Sequence, residues 1–502
     1  MKINSIANRT NFNNKLDILS NALYTLGNND MLNASFVDVF AMDTPRTIVE
    51  TKHRGKQAGI EMGFREYTGT FIAEFSAAVF AILASKLGAK KVKPDVNVNS
   101  SSWITNKGLE VFSDIYKNSD KTPKGYTQSV LDSLSGVSGS EIRNFADIDK
   151  EKAMPVVEKI TNLITNKSLN KKETSKMLAG IQDEIIGLLG ADNNIIIKSQ
   201  NNSLNSNLTH ALRDIVDSGK NIFFANSKNS ADEIISKLKT INNSKIAFAI
   251  PLSMAIAITN QKLNRFLTKK RTGIDNFVGE NGYENNVKDK NEKKKEKGLW
   301  LKKLASAGVF LFMLSKVMGV KNLGDLVNKL EFNGPATSGN AIKTVYGTLI
   351  LGRIFASKDS TELRETDVRD YLGFLNWLVL GGFVSKGVGQ ILDSKQTNLF
   401  NITKEGKGIK HWLNDVALKS QKEIIAQGGN VKANLAKLNI AQLSGIAYSA
   451  LMLGVLLPKL NIWMTKNHSK DKIKLKEKHI NFQSNFVSMD EFKKNLNSKK
   501  AI

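Results

Sequence analysis

Cysteine is absent from this 502-residue chain, which holds only five histidines and seven prolines. Without cysteine there are no disulfides, thiolate metal sites or thiol nucleophiles. So little proline favours long helices over many short strands and turns. His53, His210, His411, His468 and His479 are scattered with no pair at i, i+4, which excludes an HExxH zinc site. No GxxxxGK[ST] occurs, and Gly387-Val-Gly389 lacks the third glycine of a dinucleotide fingerprint. SGVSG (Ser135–Gly139) has the wrong spacing for a nucleophile elbow, and Asp275, Glu280 and Glu284 do not fall in EF-hand order. We therefore expect no enzyme, and we assign no catalytic, cofactor-binding or metal-ligating residue. The opening MKINSIANRTNFNNK also lacks the apolar core of a cleavable signal peptide.

What the chain does carry is positive charge, a net +25. Such a balance suits a phosphate-rich partner, either nucleic acid or an anionic membrane surface. The densest runs are Lys269–Arg271, Lys288–Lys297 and Lys470–Lys478, and each flanks an apolar segment, as juxtamembrane charge does. They lack interleaved aromatics, so nucleic acid is not the expected partner. The expected partners are a lipid bilayer and its anionic headgroups. Asn- and Lys-rich usage points to an AT-rich bacterial genome, hence to a bacterial inner membrane.

Six apolar stretches follow one another: 67–85, 246–261, 304–320, 341–356, 371–392 and 438–458. The last is free of charge and matches the roughly 20 residues that cross a ~30 Å hydrocarbon core. The third, by contrast, sits near balance. Its apolar residues favour insertion by roughly 2 to 5 kcal/mol, and a central Lys316 would cost about 2.5 to 3.5 kcal/mol. The basic loop 262–303 and the basic tail 459–502 should both be cytoplasmic, so an even number of crossings separates them. The expectation is an all-α, multi-pass membrane protein of about six spans with both termini cytoplasmic. Its parts are a cytoplasmic region 1–66, span 67–85, polar helical insert 92–244, span 246–261, and a membrane domain 304–458 with four spans. A soluble or peripheral all-α protein, resting on a membrane through its lysines, is the alternative.

In the insert, Met154, Val157, Ile160 and Ile164 share a helical face, as do Met177, Leu178, Ile181, Ile185 and Leu188. Gly190 reads as the stop of the second helix, and Ser230 with Glu233 as a capping box. Gln200–Asn207 reads as a loop. The segment Pro45–Glu66 mixes both charges and reads as a solvated linker or a surface helix on headgroups.

Glu74, Lys316, Arg353 and Lys386 are the candidate functional residues, because each is ionisable and lies within an expected span. Snorkelling of the three cations towards the headgroups is the expected reading, with Glu74 in a structural interhelical bond. Pairing of Glu74 with one of the cations along a polar pathway is the sharper alternative. Glu74 also starts a small-residue stripe with Ala77, Ala81 and Ser85, and Gly381, Ser385 and Gly389 form another beside Lys386. Pro251 and the Gly381–Gly382 pair are places where spanning helices could break around a solute. Transport through the spans, or scaffolding through a protein partner bound by the 92–244 insert, are the two activities this pattern allows.

Overall fold

A computed structural model describes residues 15–92, 103–138, 141–224, 230–273, 298–464 (except 333, 335, 403 and 405) and 467. The basic runs 288–297 and 470–478 and the acidic segment 274–285 lie outside the described residues. Helix dominates, as the all-α expectation requires.

After α1 (Lys15–Gly27), a first long rod is built from α2 (Asp30–Phe36), a π segment (Val37–Asp43) and α3 (Thr44–Arg54). Asn29 opens it by accepting the Leu32 N–H, and Gly55, at φ 89°, closes it. The second rod joins α4 (Lys56–Phe71), a π segment (Ile72–Ser76) and α5 (Ala77–Val92).

The insert follows, with α6 (Asn106–Lys117), α7 (Pro123–Asp132), β1 (Leu134–Ser138), β2 (Glu141–Asn144), α8 (Lys150–Thr165), α9 (Lys171–Leu189), β3 (Ile195–Lys198), β4 (Ser203–Ser206) and α10 (Leu208–Phe224). Gly190 ends α9 in the left-handed region, at φ 72°, as its sequence position implies. The insert is not purely helical. Its four strands form one antiparallel sheet in the order β2-β1-β3-β4, and β4 occupies the segment that reads as a loop. The β-branched run Ile195–Ile197 explains β3: Ile195 and Ile197 are wholly buried while Ile196 is half-exposed, a period of two that helical spacing does not reveal.

The third rod is α11 (Ala231–Thr272), 42 residues and about 63 Å long. The expected capping box starts it, with the Glu233 N–H on Ser230 Oγ at 3.3 Å and the Ser230 N–H on Glu233 Oε2 at 3.2 Å. Its first turns pack Ile234, Ile235 and Leu238 into the insert's core, and it continues unbroken through Pro251 into the bundle. The expected break at Pro251 is therefore not seen. Next come α12 (Leu299–Met318), α13 (Leu323–Lys329), α14 (Gly339–Ala356), and a rod of α15 (Ser360–Leu375), a π segment (Asn376–Leu380) and α16 (Gly381–Leu392). A short ribbon, β5 (Phe400–Ile402) with β6 (Val416–Leu418), encloses α17 (Ile409–Asp415). Then α18 (Gln421–Gln427) leads to α19 (Val431–Ser449), whose rod runs through a π segment (Ala450–Leu456) to Met464.

These seven rods alternate in direction. At one end, which we call the basic end, Arg54 meets Glu365, Arg265 meets Glu362, Lys302 meets Ser360, and Arg364 meets the Met464 carbonyl. At the other, Asp30 caps Gly339, Gly88 packs on Ile241, and Asn439 meets Ser20. The insert sits at this second end, tied down by Tyr24 on Asp192 at 2.9 Å and by the Asp192 N–H on Glu423 at 2.9 Å. Among the described residues, three helices are long and apolar enough to cross a membrane: Lys56–Lys90, Ala231–Thr272 and Val431–Met464. They contain the expected spans 67–85, 246–261 and 438–458, while the other three expected spans fall in α12, α14 and α15–α16.

The insert buries acidic groups among its apolar residues. Burial pushes the Asp214 carboxyl up to about 7 and that of Asp217 to about 6. A carboxyl that holds its proton more tightly when folded favours the fold at low pH. That contribution is complete near the unfolded value, about 3.9, and is lost as pH rises through about 7. Amide exchange across 103–224 of the full chain, corrected for intrinsic rates, should show stronger protection at about pH 5 than at about pH 8. Asp214→Asn should remove most of that difference.

Candidate functional site

Charge is concentrated inside the bundle, where the apolar rods meet. Arg353 on α14 is 2% exposed, with Nη1 3.1 Å from Asp370 Oδ1 and Nη2 3.5 Å from Glu66 Oε2. Glu66 is also met by Arg46 Nη1 at 3.6 Å and Arg65 Nε at 3.4 Å, and Asp370 by Arg369 Nε at 2.9 Å. Arg46 donates its Nε–H to the Leu453 carbonyl at 2.9 Å, inside the π segment of the last rod. Towards the basic end, Arg54 lies 3.5 Å from Glu50 and 2.8 Å from Glu365. This network ties together the rods of α3, α4, α14, α15 and α19. Its arginines and carboxylates are interleaved, as buried charge requires.

A second cluster is built differently. Asp38, Asp43 and Glu74 are all buried and sit on two π segments, Val37–Asp43 and Ile72–Ser76. Thr70 donates to Asp43 Oδ2 at 2.8 Å, and the Ser35 hydroxyl donates to Glu74. Both oxygens of Asp38, Oδ1 of Asp43 and Oε1 of Glu74 have no hydrogen-bond donor among the described residues. Ser35, which donates to Glu74, lies one turn before Asp38, so the carboxyls of the two π segments gather in one buried place with few donors. Buried carboxyls so poorly provided with donors are the kind of group that a proton neutralises. A π turn inserts a residue into the helix and recurs at functional sites, which fits carboxylates placed on such turns.

A cavity of about 670 Å³ opens beside this cluster, between α1, α2, the start of α14, α16 and α19. Asp30, Asn33, Lys343, Gly382, Ser385 and Gln442 contribute to its wall, and so does Val37, the residue before Asp38. The Gly381–Gly382 pair, read as a weak point of a spanning helix, follows a π segment and borders this cavity. Here α16 and α19 pack almost backbone to backbone: a Cβ on Gly445 would lie 2.7 Å from the Gly381 carbonyl. The other small-residue stripe, Ala77, Ala81 and Ser85, is buried as its pattern implies.

Of the four residues singled out by sequence, two lie in these clusters. Arg353 centres the ion-pair network and Glu74 the carboxylate cluster. Lys386, 8% exposed, caps α17 by donating to the carbonyls of Trp412 and Leu413 and lies 4.3 Å from the centre of the Trp412 ring. Lys316 is exposed on the outer face, 5.4 Å from the Phe312 ring centre. The alternative, a pairing of Glu74 with a cation, is not formed among the described residues. Arg353 is held by Glu66, which precedes Glu74 on the same rod by about 12 Å. Sequence reading missed Arg46, Glu66, Asp370, Asp38 and Asp43, because their charge lowers the hydropathy of the segments that carry them. The signal was present in the spacing of Met42, Arg46, Glu50 and Arg54, a stripe at i, i+4, with Phe40 and Ile48 exposed elsewhere on the rod.

No protein family, curated protein or solved structure matches the chain. The site is therefore interpreted from its own geometry.

Replacing Arg353 tests the network. Arg353→Met leaves Glu66 and Asp370 short of a counter-charge in a buried place and should cost about 3–5 kcal/mol. The purified variant should melt well below the wild type in detergent. Lys316→Met, on the outer face, should melt with the wild type.

Proposed function

We propose that this chain is an integral membrane protein whose seven rods all cross the bilayer, and that it transports a polar solute coupled to protons. One observation carries the membrane reading: the bundle is apolar outside and charged inside, whereas the insert of the same chain is the reverse. Phe40 (66% exposed), Phe71 (61%), Leu83 (47%), Phe266 (61%), Phe312 (62%) and Leu451 (52%) lie on the outer faces of five different rods. In the insert, Ile142 and Met154 are the only large apolar residues so exposed among those described. Water-soluble monomers do not expose apolar surface on this scale. Small residues at the contacts between rods, where backbones approach closely, also suit helices packed in lipid.

Orientation follows from the basic end. Lys262, Lys269, Lys270, Arg271, Lys302 and Lys303 gather there, and the runs 288–297 and 470–478 adjoin it in sequence. We take this end as cytoplasmic and in contact with anionic headgroups, in a bacterial inner membrane. The insert then lies across the membrane from it, with α1. This reading replaces two cytoplasmic termini by ends on opposite sides, because the charged rod 30–54 adds a crossing that hydropathy does not count. Transport is favoured over scaffolding by two features, the polar cavity within the bundle and the proton-holding carboxyls behind its wall. The insert offers little exposed apolar surface for a protein partner.

Alkaline carbonate extraction of membranes from expressing cells should leave both the wild type and Glu74→Gln in the pellet. Release into the supernatant would overturn the membrane reading. Proteoliposomes screened with labelled polar solutes under an imposed pH gradient should accumulate at least one, and Glu74→Gln none. Failure of the wild type to take up any would overturn transport.

A further inference from the structure

The cavity has two opposite charges on its wall; Ser338, Ser385 and Ser449 there bond their own helices, while side-chain amides there are uncommitted among the described residues. Asp30 sits at the mouth, where its Oδ2 accepts the Gly339 N–H at 2.7 Å. That contact depends on glycine, since a Cβ on Gly339 would come within 2.8 Å of the same oxygen. Lys343 stands one turn further along α14, half-buried. It feels the Asp30 charge but lies beyond ion-pair distance of it, and no described residue hydrogen-bonds or pairs with its ammonium. The side-chain amides of Asn33 and Gln442, also on the wall, likewise have no hydrogen-bond partner among the described residues. Leu26, Val37, Trp377 and Ile446 supply the apolar part of the lining.

From this we infer that the cavity binds a zwitterionic, amino-acid-like solute, with its ammonium at Asp30, its carboxylate at Lys343 and its side chain against Trp377 and Ile446. The identification of this solute as the transported one rests on the transport reading above. A simple anion would meet Asp30 unfavourably, and a simple cation would meet Lys343. Only a ligand with both charges satisfies both walls and lets the amides complete its hydrogen bonds. The volume, about 670 Å³, falls within the range of small-molecule sites and leaves room for a side chain and water. Its position between the rods of a bundle, beside a π segment and a glycine pair, is one where membrane carriers place solutes.

The test uses the purified full chain in detergent micelles, with leucine as probe and two half-charged analogues, 4-methylpentanoate and 3-methylbutylamine. Leucine should bind saturably, and each analogue at least tenfold more weakly. Lys343→Met and Asp30→Asn should each weaken leucine binding at least tenfold, with Lys316→Met unchanged. No saturable leucine binding would overturn the inference. So would equal binding of 4-methylpentanoate, which would make this an anion site. Binding of glycerophosphoethanolamine in place of leucine would assign the cavity to a lipid headgroup and overturn it as well. The comparison among ligands is made on the wild type, so it holds even if a variant fails to fold. Binding in micelles needs neither bilayer nor gradient, so failure here is distinct from failure of extraction or of vesicle uptake.

Discussion

A guanidinium cannot shed its charge to escape burial, so wherever Arg353 is placed among apolar helices its counter-charges must come too. Glu66 and Asp370 supply them from two other rods, and Arg46, on a fourth and shared through Glu66, reaches a fifth to bond the Leu453 carbonyl. Each of these contacts fixes one rod against another along their length as well as around their axes. A slip of one turn would move Arg353 about 5.4 Å from its partners and leave charge unpaired in a water-poor interior. The registers of α3, α4, α14 and α15 are thus set together, by charge, in a place where apolar packing alone would tolerate sliding.

With the charges committed inwards, the outer faces of the rods are left to apolar residues. The two halves of the chain then obey opposite rules. Tyr126, Phe112 and Phe145 are fully buried in the insert, while Phe40, Phe266 and Phe312 face outwards from the bundle. On the proposed membrane reading, both follow one principle applied to two solvents, since apolar groups leave water and are at no disadvantage in lipid. The long helix α11 takes part in both, contributing Ile234 and Leu238 to the insert core and Ala257 to the bundle. It fixes the position of the insert relative to the polar interior. The carboxylate cluster differs from the ion-pair network in forming no salt bridge among the described residues. That difference is what the transport proposal draws on when it places a proton there.

Much of this was legible in sequence. The helical class, the α9 stop at Gly190, the Ser230 capping box and both small-residue stripes follow from spacing and composition. The apolar stretches locate six of the seven rods. The rod 30–54 was hidden because hydropathy averages around a helix: Asp38, Asp43, Arg46 and Glu50 cancel Phe36, Phe40 and Ile48 when the two faces are summed. Glu74 was recognised as unusual, but its surroundings were not, since Ser35, which donates to it, and Asp38 lie on a segment with no spanning signal. The sheet in the insert escaped because its strands are four or five residues long, too short for a period of two to stand out against the surrounding helices. No sequence pattern announces the cavity, which arises where α1, α2, α14, α16 and α19 meet.

The central claim is that lipid covers the outer faces of the bundle, and the absence of native cysteine allows it to be tested one position at a time. Single cysteines at Ser168 in the insert, Lys270 at the basic end, and Leu83 and Phe312 on the outer faces should be challenged with a membrane-impermeant maleimide in sealed vesicles of both orientations. Leu83 and Phe312 are 47% and 62% exposed in the folded chain, so in a water-soluble protein both would react readily. The account predicts that Ser168→Cys and Lys270→Cys label from opposite sides, and that Leu83→Cys and Phe312→Cys label from neither. Ready labelling of Leu83→Cys and Phe312→Cys alongside the other two would contradict it.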